Sequence, residues 1–169
     1  MDAIEAIMTR RSIRSYTEEP ITEDQIRALL EAAMMAPSAG NGQPWQFLVI
    51  QDKETLAKVK DANPHAAMAA QAPLAVLVCG DTTKEKSPGY WVQDCSAATE
   101  NMLLAAHAMG LGAVWTGIHT KADREKGFRE LFQLPDHIMP LSLVIVGHSA
   151  KQPESSSRFN PERVHYERW

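Results

Sequence analysis

The first candidate for chemistry is a cluster of cationic side chains near the amino terminus. Arg10, Arg11 and Arg14 fall within five residues, with Ser12 between them, in a chain whose formal net charge is -4. A guanidinium presents a fixed fork of donors that matches phosphate bidentately. Each hydrogen bond to a charged group contributes roughly 1.5–3 kcal/mol. The cluster indicates an anchor for a phosphorylated ligand, and a solvated arginine patch at the end of a helix is the alternative.

A second polar stretch, residues 37–45, reads Pro-Ser-Ala-Gly-Asn-Gly-Gln-Pro-Trp. Two prolines and two glycines together with serine and asparagine are typical of a shaped turn. Ser38, Asn41 and Gln43 offer hydrogen-bonding side chains there. A loop between a helix and a strand is often only a connection, but this one is longer and more polar than a connection requires.

A third stretch contains closely spaced glycines, Gly110 and Gly112, followed by Trp115-Thr116-Gly117. The first two glycines do not form a dinucleotide-binding fingerprint, because they follow a helix and open a strand, the reverse of the Rossmann order. Gly117 allows close backbone approach, either to a ligand or to a neighbouring strand.

No metal site or catalytic dyad is expected from the remaining reactive side chains. The histidines are scattered, without metal-ligand spacing, at positions 65, 107, 119, 137, 148 and 165. Cys79 and Cys95 lack CxxC spacing and lie in apolar surroundings, where buried free thiols are common.

The bulk properties favour a single domain over residues 1–169. The chain is 44% hydrophobic and 22% charged, which is ordinary for a globular protein. A pI near 5.9 argues against nucleic-acid binding. No secretory signal is visible and no apolar run reaches transmembrane length, so we expect no membrane association and a cytoplasmic location.

The periodicity of apolar residues predicts alternating helices and strands, and therefore an α/β or α+β fold. The tail, which follows a loop over residues 149–157, and the long helix over 91–109 both carry apolar surface that a second subunit could cover. Helices are predicted over residues 2–9, 53–60, 91–109 and 121–132. A further helix is predicted between a capping box, formed by Thr22 and Gln25, and Pro37, which ends it. Strands are predicted over residues 45–50, 74–79, 111–117 and 140–147.

Four stretches in this order resemble the FMN-dependent nitroreductase family, particularly its short members. They are the Arg-Arg-Ser-Ile-Arg cluster at 10–14, the turn at 36–45, the segment 110–117, and the tail around Arg158 and residues 164–166. The resemblance spans essentially the whole chain. It implies an α+β three-layer sandwich, in which helices cover a central, mostly antiparallel sheet, and an intertwined homodimer with FMN at the interface.

The resemblance also implies which residues contact FMN. The phosphate and ribityl contacts would come from a first group: Arg10, Arg11, Ser12, Arg14 and Arg158. The flavin would be flanked by a second group, from the other subunit: Pro37, Ser38, Ala39, Asn41 and Gln43. The pyrimidine edge and N5 of the flavin would be lined by a third group: Trp115, Thr116 and Gly117. Larger members often carry an acidic residue where Thr116 stands, and they carry a lid where this chain has only residues 81–90.

The implied activity is an NAD(P)H-dependent flavin oxidoreductase. Hydride would pass from NADH or NADPH to flavin N5 and then to an oxidised acceptor, such as a nitroaromatic or quinone, in a ping-pong order. The flavin carries this chemistry, so no side chain is required as acid or base. Two alternatives remain open: a flavin-binding protein with a storage or regulatory role, and a different flavin reaction such as reductive dehalogenation.

Overall fold

The computed structural model of the chain describes residues 1–151 and 157–169, so the predicted loop over 149–157 lies partly outside the described residues. Within these ranges the chain forms five α-helices and four strands, close to the predicted boundaries. The helices are α1 (Ala3–Thr9), α2 (Glu23–Met34), α3 (Lys53–Ala62), α4 (Trp91–Ala108) and α5 (Ala122–Phe132); the strands are β1 (Trp45–Ile50), β2 (Leu74–Asp81), β3 (Gly112–Gly117) and β4 (Ile138–Gly147).

The capping box predicted at the start of α2 is confirmed. The Gln25 backbone N–H donates to Thr22 Oγ1 at 3.2 Å, and the Thr22 backbone N–H donates to Gln25 Oε1 at 2.9 Å. These two bonds satisfy donors that the first helical turn leaves unpaired. The helix then buries Ile26, Leu29 and Ala33, which share one face at helical spacing.

The four strands form one antiparallel sheet in the order β1-β2-β4-β3. A bulge interrupts the β2–β4 pairing, where Val78 is opposite Ser142 but Cys79 is opposite Pro140. The bulge leaves the Leu141 carbonyl to accept the backbone N–H groups of Ile118 and His119, both at 3.0 Å. It therefore fixes the chain immediately after β3.

Helices cover both faces of the sheet, which confirms the predicted three-layer α+β arrangement. One core lies between the sheet and the helices α2 and α4, around Leu29 and Met102. The other lies between the sheet and the helices α3 and α5, around Leu56 and Phe128. Most apolar residues of α4 are therefore buried within the core of one chain. The subunit interface suggested for this helix remains a prediction.

Two segments differ from expectation or extend it. Residues 64–71, for which no helix or strand is predicted, form a 3-10 helix that buries Ala66 and Ala69. The tail, by contrast, is exposed, with Phe159 at 78% and Trp169 at 101% relative accessibility. None of the helices described is both long and apolar enough to cross a bilayer.

Candidate functional site

The arginine cluster lies along the outer edge of the sheet. Ser12 forms an isolated parallel bridge with Ala113 of β3, and the Ile13 backbone N–H donates to the Ala113 carbonyl at 2.9 Å. A Cβ atom on Gly112 would approach Ile13 Cγ2 to 2.7 Å. Glycine at 112 therefore lets the arginine segment lie directly against β3, which fixes the cluster to one strand.

The arginines of this segment have different environments. Arg10 Nε lies 3.4 Å from Glu100 Oε1 on α4. Arg11 Nη1 donates to the backbone carbonyls of Met8 and Arg10. Ser12 and Arg14 are exposed. Arg10 and Arg11 are thus held by the chain itself, whereas Arg14 presents its guanidinium to solvent.

A cavity of about 200 Å³ lies beside Arg11. His107 lines it, and its Nε2 is 2.8 Å from Thr9 Oγ1. Burial, and then the positive charges of Arg10 and Arg11, lower the pKa of His107 below its ordinary value. The positive charge at this cavity therefore comes from arginine rather than from histidine. His107 carries no local signal in the sequence, because nothing there pairs it with residues a hundred positions away.

The turn at residues 37–43 has an unusual backbone that its own side chains support. Gly40, Asn41 and Gln43 have φ values of 56°, 54° and 48°. The Gln43 backbone N–H donates to Ser38 Oγ at 3.0 Å, and Gln43 Nε2 donates to Asn41 Oδ1 at 2.9 Å. The polar residues predicted to bind a ligand therefore also hold the turn in shape.

A buried carboxylate anchors this turn to the protein. The Ala39 backbone N–H donates to Asp94 Oδ1 on α4 at 2.9 Å, and Asp94 is only 5% exposed. Pro37, immediately before the turn, is exposed. The sequence carried no sign of this anchor, because Asp94 lies 55 residues further along the chain.

The end of β3 offers an open edge. Thr116 Oγ1 donates to the Leu143 carbonyl at 3.0 Å, so this hydroxyl is already engaged. Gly117 is exposed, and a Cβ atom placed on it would meet no atom of residues 1–151 or 157–169 within 4 Å. Trp115 is half-buried and packs against the core beside α4. The backbone at Gly117 therefore has room for a flat group to approach.

Two side chains that sequence analysis did not identify converge on the Gly117 carbonyl. Arg124 Nη1 donates to this oxygen at 2.8 Å, and Asn63 Nδ2 lies 3.4 Å from it. Asn63 is fully buried, while Arg124 is half-buried. The peptide at the open edge is therefore fixed from two directions.

The structure brings two of the three predicted groups onto one strand. The arginine segment meets β3 at Ala113, and Gly117 lies four residues further along, or roughly 14 Å at the rise of a β-strand. A ligand lying along β3 could reach both.

The third group, the turn at 37–43, lies far from the arginines within one chain. It leads into β1, three strand steps from β3 and hence roughly 14 Å across the sheet. In the sheet register, Ala113 of β3 is opposite Val146 of β4, which is in turn opposite Leu74 of β2. Trp45 of β1 is opposite Gly80 of β2. Leu74 and Gly80 are six residues apart on β2, so the two ends of the sheet are separated by about 20 Å along the strands. One chain alone does not bring the turn to the arginines.

Arg158, the last of the residues predicted to contact the cofactor, is exposed and lies two residues after the segment 152–156, which is outside the described ranges. Within residues 1–151 and 157–169, no group of three or more His, Cys, Asp or Glu side chains is placed to hold a metal ion.

Comparison with known proteins gives matches over nearly the whole chain. The model of the nitroreductase family matches residues 7–81 and 62–148. A protein of Methanothermobacter thermautotrophicus, provisionally named NADH dehydrogenase/NAD(P)H nitroreductase, is 48% identical over 169 residues, covering 100% of this chain and 88% of the relative. The FMN reductase [NAD(P)H] of Bacillus subtilis is 30% identical, covering 98% of this chain and 73% of that protein.

A solved structure extends the similarity to three dimensions. The crystal structure of a provisionally named nitroreductase from Desulfovibrio desulfuricans, in complex with FMN, superposes with a TM-score of 0.87 at 32% identity. The match covers 100% of this chain and 98% of that one. Both the sequence and the fold are therefore shared along the full length of this chain.

Proposed function

This chain belongs to the nitroreductase family, and on that premise we propose that it is an FMN-dependent oxidoreductase that uses NADH or NADPH as reductant. The observation that carries the proposal is the bridge between Ser12 and Ala113, which fixes the arginine segment to the strand that ends at the open Gly117 edge. A phosphate anchor and an approach for a flat ring thus lie on one strand. The names of the related FMN reductase and of the FMN-bound structure support the same ligand.

The side chains present fit FMN in chemistry and in placement. Arg10, Ser12 and Arg14 would donate to the phosphate and ribityl oxygens, with Arg11 and Arg158 adding positive charge. Guanidinium groups suit this role because their planar donors match phosphate oxygens. The roughly 14 Å along β3 between Ala113 and Gly117 suits a molecule with a phosphate at one end and a ring system at the other.

We further propose that a second copy of the chain completes the site. The turn at 37–43, with Pro37, Ser38, Ala39, Asn41 and Gln43, lies too far from the arginines of its own chain to share a ligand with them. Exposed apolar side chains on α1 and the tail, including Ile4 and Tyr166, support pairing of two chains. In such a homodimer the turn of one copy would flank the flavin held by the arginines of its partner.

The protein's part in the reaction is positioning and electrostatics. Bound FMN would supply hydride acceptance and donation at N5 of its ring. The backbone at Thr116 and Gly117 would present a fixed edge to that ring, while Trp115 secures the strand against the core. The reductant and the oxidised acceptor, a nitroaromatic or quinone, would occupy the same face in turn, which gives a ping-pong order. No side chain is required to donate or remove a proton.

Reconstitution with FMN tests this proposal directly. The protein is mixed with FMN, freed of excess ligand, and exposed to NADH or NADPH without oxygen while the flavin absorbance is followed. We expect bound flavin and loss of its absorbance within seconds. Failure to retain FMN would contradict the proposal as a whole. Retention without reduction by either nucleotide would contradict the oxidoreductase activity and favour a storage or regulatory flavin-binding role.

A further inference from the structure

We infer that Arg124 is a positioning residue at the reactive end of the flavin site, where it fixes the Gly117 peptide and supplies a positive charge. The inference rests on the proposed function, since it concerns the edge of β3 along which the ring would lie. Of the residues assigned above to the cofactor, those at this end are Trp115, Thr116 and Gly117, which carry no charge. The segment with Arg10, Arg11 and Arg14 meets β3 at Ala113, whose backbone is on the order of 14 Å from that of Gly117.

Two side chains fix the orientation of the Gly117 peptide through its carbonyl oxygen. Its carbonyl accepts from Arg124 Nη1 at 2.8 Å and faces Asn63 Nδ2 at 3.4 Å. Asn63 is itself fixed, because its Oδ1 accepts the His65 backbone N–H at 3.1 Å in a fully buried position. The carbonyl oxygen is therefore fully engaged, and the open side of Gly117 remains for a ligand.

The turn after β3 places Arg124 for this role. Thr120 adopts a φ of 64°, and its backbone N–H donates to Glu125 Oε1 at 3.1 Å. The same carboxylate oxygen lies 2.8 Å from His119 Nδ1. Glu125 is thus occupied in holding the turn, and α5 begins in an orientation that returns Arg124 to the end of the strand.

No carboxylate of residues 1–151 and 157–169 forms an ion pair with Arg124. An arginine side chain in a protein keeps its positive charge at physiological pH. A fixed positive charge beside the ring stabilises the reduced flavin, which carries more negative charge, relative to the oxidised form.

The test is the midpoint potential of bound FMN, measured by spectroelectrochemical titration of the full-length protein. Arg124→Gln removes the charge, Arg124→Lys keeps it, and Lys126→Gln removes a charge from the exposed side of the same helix. We expect Arg124→Gln to weaken binding of reduced relative to oxidised FMN by about tenfold, a fall of about 30 mV for a two-electron couple. Arg124→Lys should restore much of the loss, and Lys126→Gln should match the unsubstituted protein.

The outcomes separate this inference from the proposed function. If the unsubstituted chain takes up no FMN, the proposed function fails. If it binds FMN but Arg124→Gln has the same midpoint potential, only the inference is overturned. Should Arg124→Gln not fold, Arg124→Met carries the test, because it also removes the charge: a midpoint potential about 30 mV below that of the unsubstituted protein supports the inference, and an unchanged potential overturns it.

Discussion

The carboxylate of Asp94 accepts a hydrogen bond from the backbone N–H of Ala39 at 2.9 Å and thereby ties the start of α4 to a turn 55 residues earlier. Asp94 is almost fully buried, so this bond is shielded from water. It secures a backbone in which Gly40, Asn41 and Gln43 all have positive φ. The turn that would flank the flavin of a second copy is thus held in place before any ligand binds.

Removing this anchor should destabilise the protein. Asp94→Ala leaves the Ala39 N–H without its charged acceptor, which should lower the free energy of unfolding by roughly 1.5–3 kcal/mol. Asp94→Asn retains an acceptor oxygen and should cost less. Urea unfolding measures both, with the exposed neighbour Gln93→Ala as control. Equal stability of Asp94→Ala and Gln93→Ala would show that the anchor contributes nothing.

Arg14 is the exposed guanidinium of the cluster, and its loss should weaken FMN binding. We expect Arg14→Ala to reduce the binding free energy by roughly 1.5–3 kcal/mol, the contribution of one charged hydrogen bond. Isothermal titration calorimetry measures the effect. Arg27→Ala, which removes an exposed arginine from α2, serves as the matched control. An unchanged affinity for Arg14→Ala would remove Arg14 from the phosphate site.

Gly117→Ala separates folding from binding at the open edge. The added Cβ atom meets no atom of the described part of the chain within 4 Å, so the thermal midpoint should stay close to that of the unsubstituted protein. If the ring lies against this edge, the methyl group occupies its space and FMN affinity should fall at least tenfold. Titration of flavin fluorescence gives the affinity. A folded Gly117→Ala variant that binds FMN normally would place the ring elsewhere.

Gly112→Ala provides the contrasting case on the same strand. Its Cβ atom would approach Ile13 Cγ2 to 2.7 Å, closer than packed carbon atoms allow. We therefore expect a lower thermal midpoint together with weaker FMN binding, because the arginine segment must move away from β3.

His107 should make the protein less stable in mild acid. Burial, followed by the charges of Arg10 and Arg11, lowers its folded-state pKa below 6.5, so the unfolded chain binds the proton more readily. The stability is present above pH 6.5 and is lost as the pH falls through the lower folded-state pKa. Urea unfolding at pH 7.5 and 5.5 should show a smaller loss for His107→Gln than for the exposed His65→Gln. Identical losses would contradict this role.

Local sequence signals predicted most of the elements correctly. Thr22 and Gln25 form a cap through neighbouring atoms, so their spacing alone reveals the start of α2. Gly110, with φ of 78°, ends α4 as expected of a glycine after a helix. The apolar strand at 45–50 has the predicted bounds. In each case the interaction that decides the structure spans only a few residues.

Contacts that depend on the path of the chain could not be predicted in this way. Arg124 reaches the Gly117 carbonyl only because Thr120 turns the backbone with φ of 64°. Asp94 meets Ala39 only because α4 packs beside the start of β1. The sheet order likewise decides that the predicted turn and the arginine segment lie at opposite edges. Composition and spacing carry no information about such long-range packing.

The central claim is that a flavin is bound between the arginine segment of one copy and the turn of another. A mixed dimer tests it. One chain carries Arg14→Glu, which opposes the phosphate, and the other carries Asn41→Val, which places a β-branched residue at a φ of 54° and distorts the turn. Each variant alone should bind little FMN.

The decisive measurement is the FMN stoichiometry of the co-purified mixed dimer, determined by titration at a concentration where neither variant alone binds. If the two parts of the site come from different chains, one site combines an intact arginine segment with an intact turn, and half of the normal FMN stoichiometry returns. If both parts come from the same chain, every site keeps one defect. A mixed dimer that binds no more FMN than the single variants would contradict the shared site.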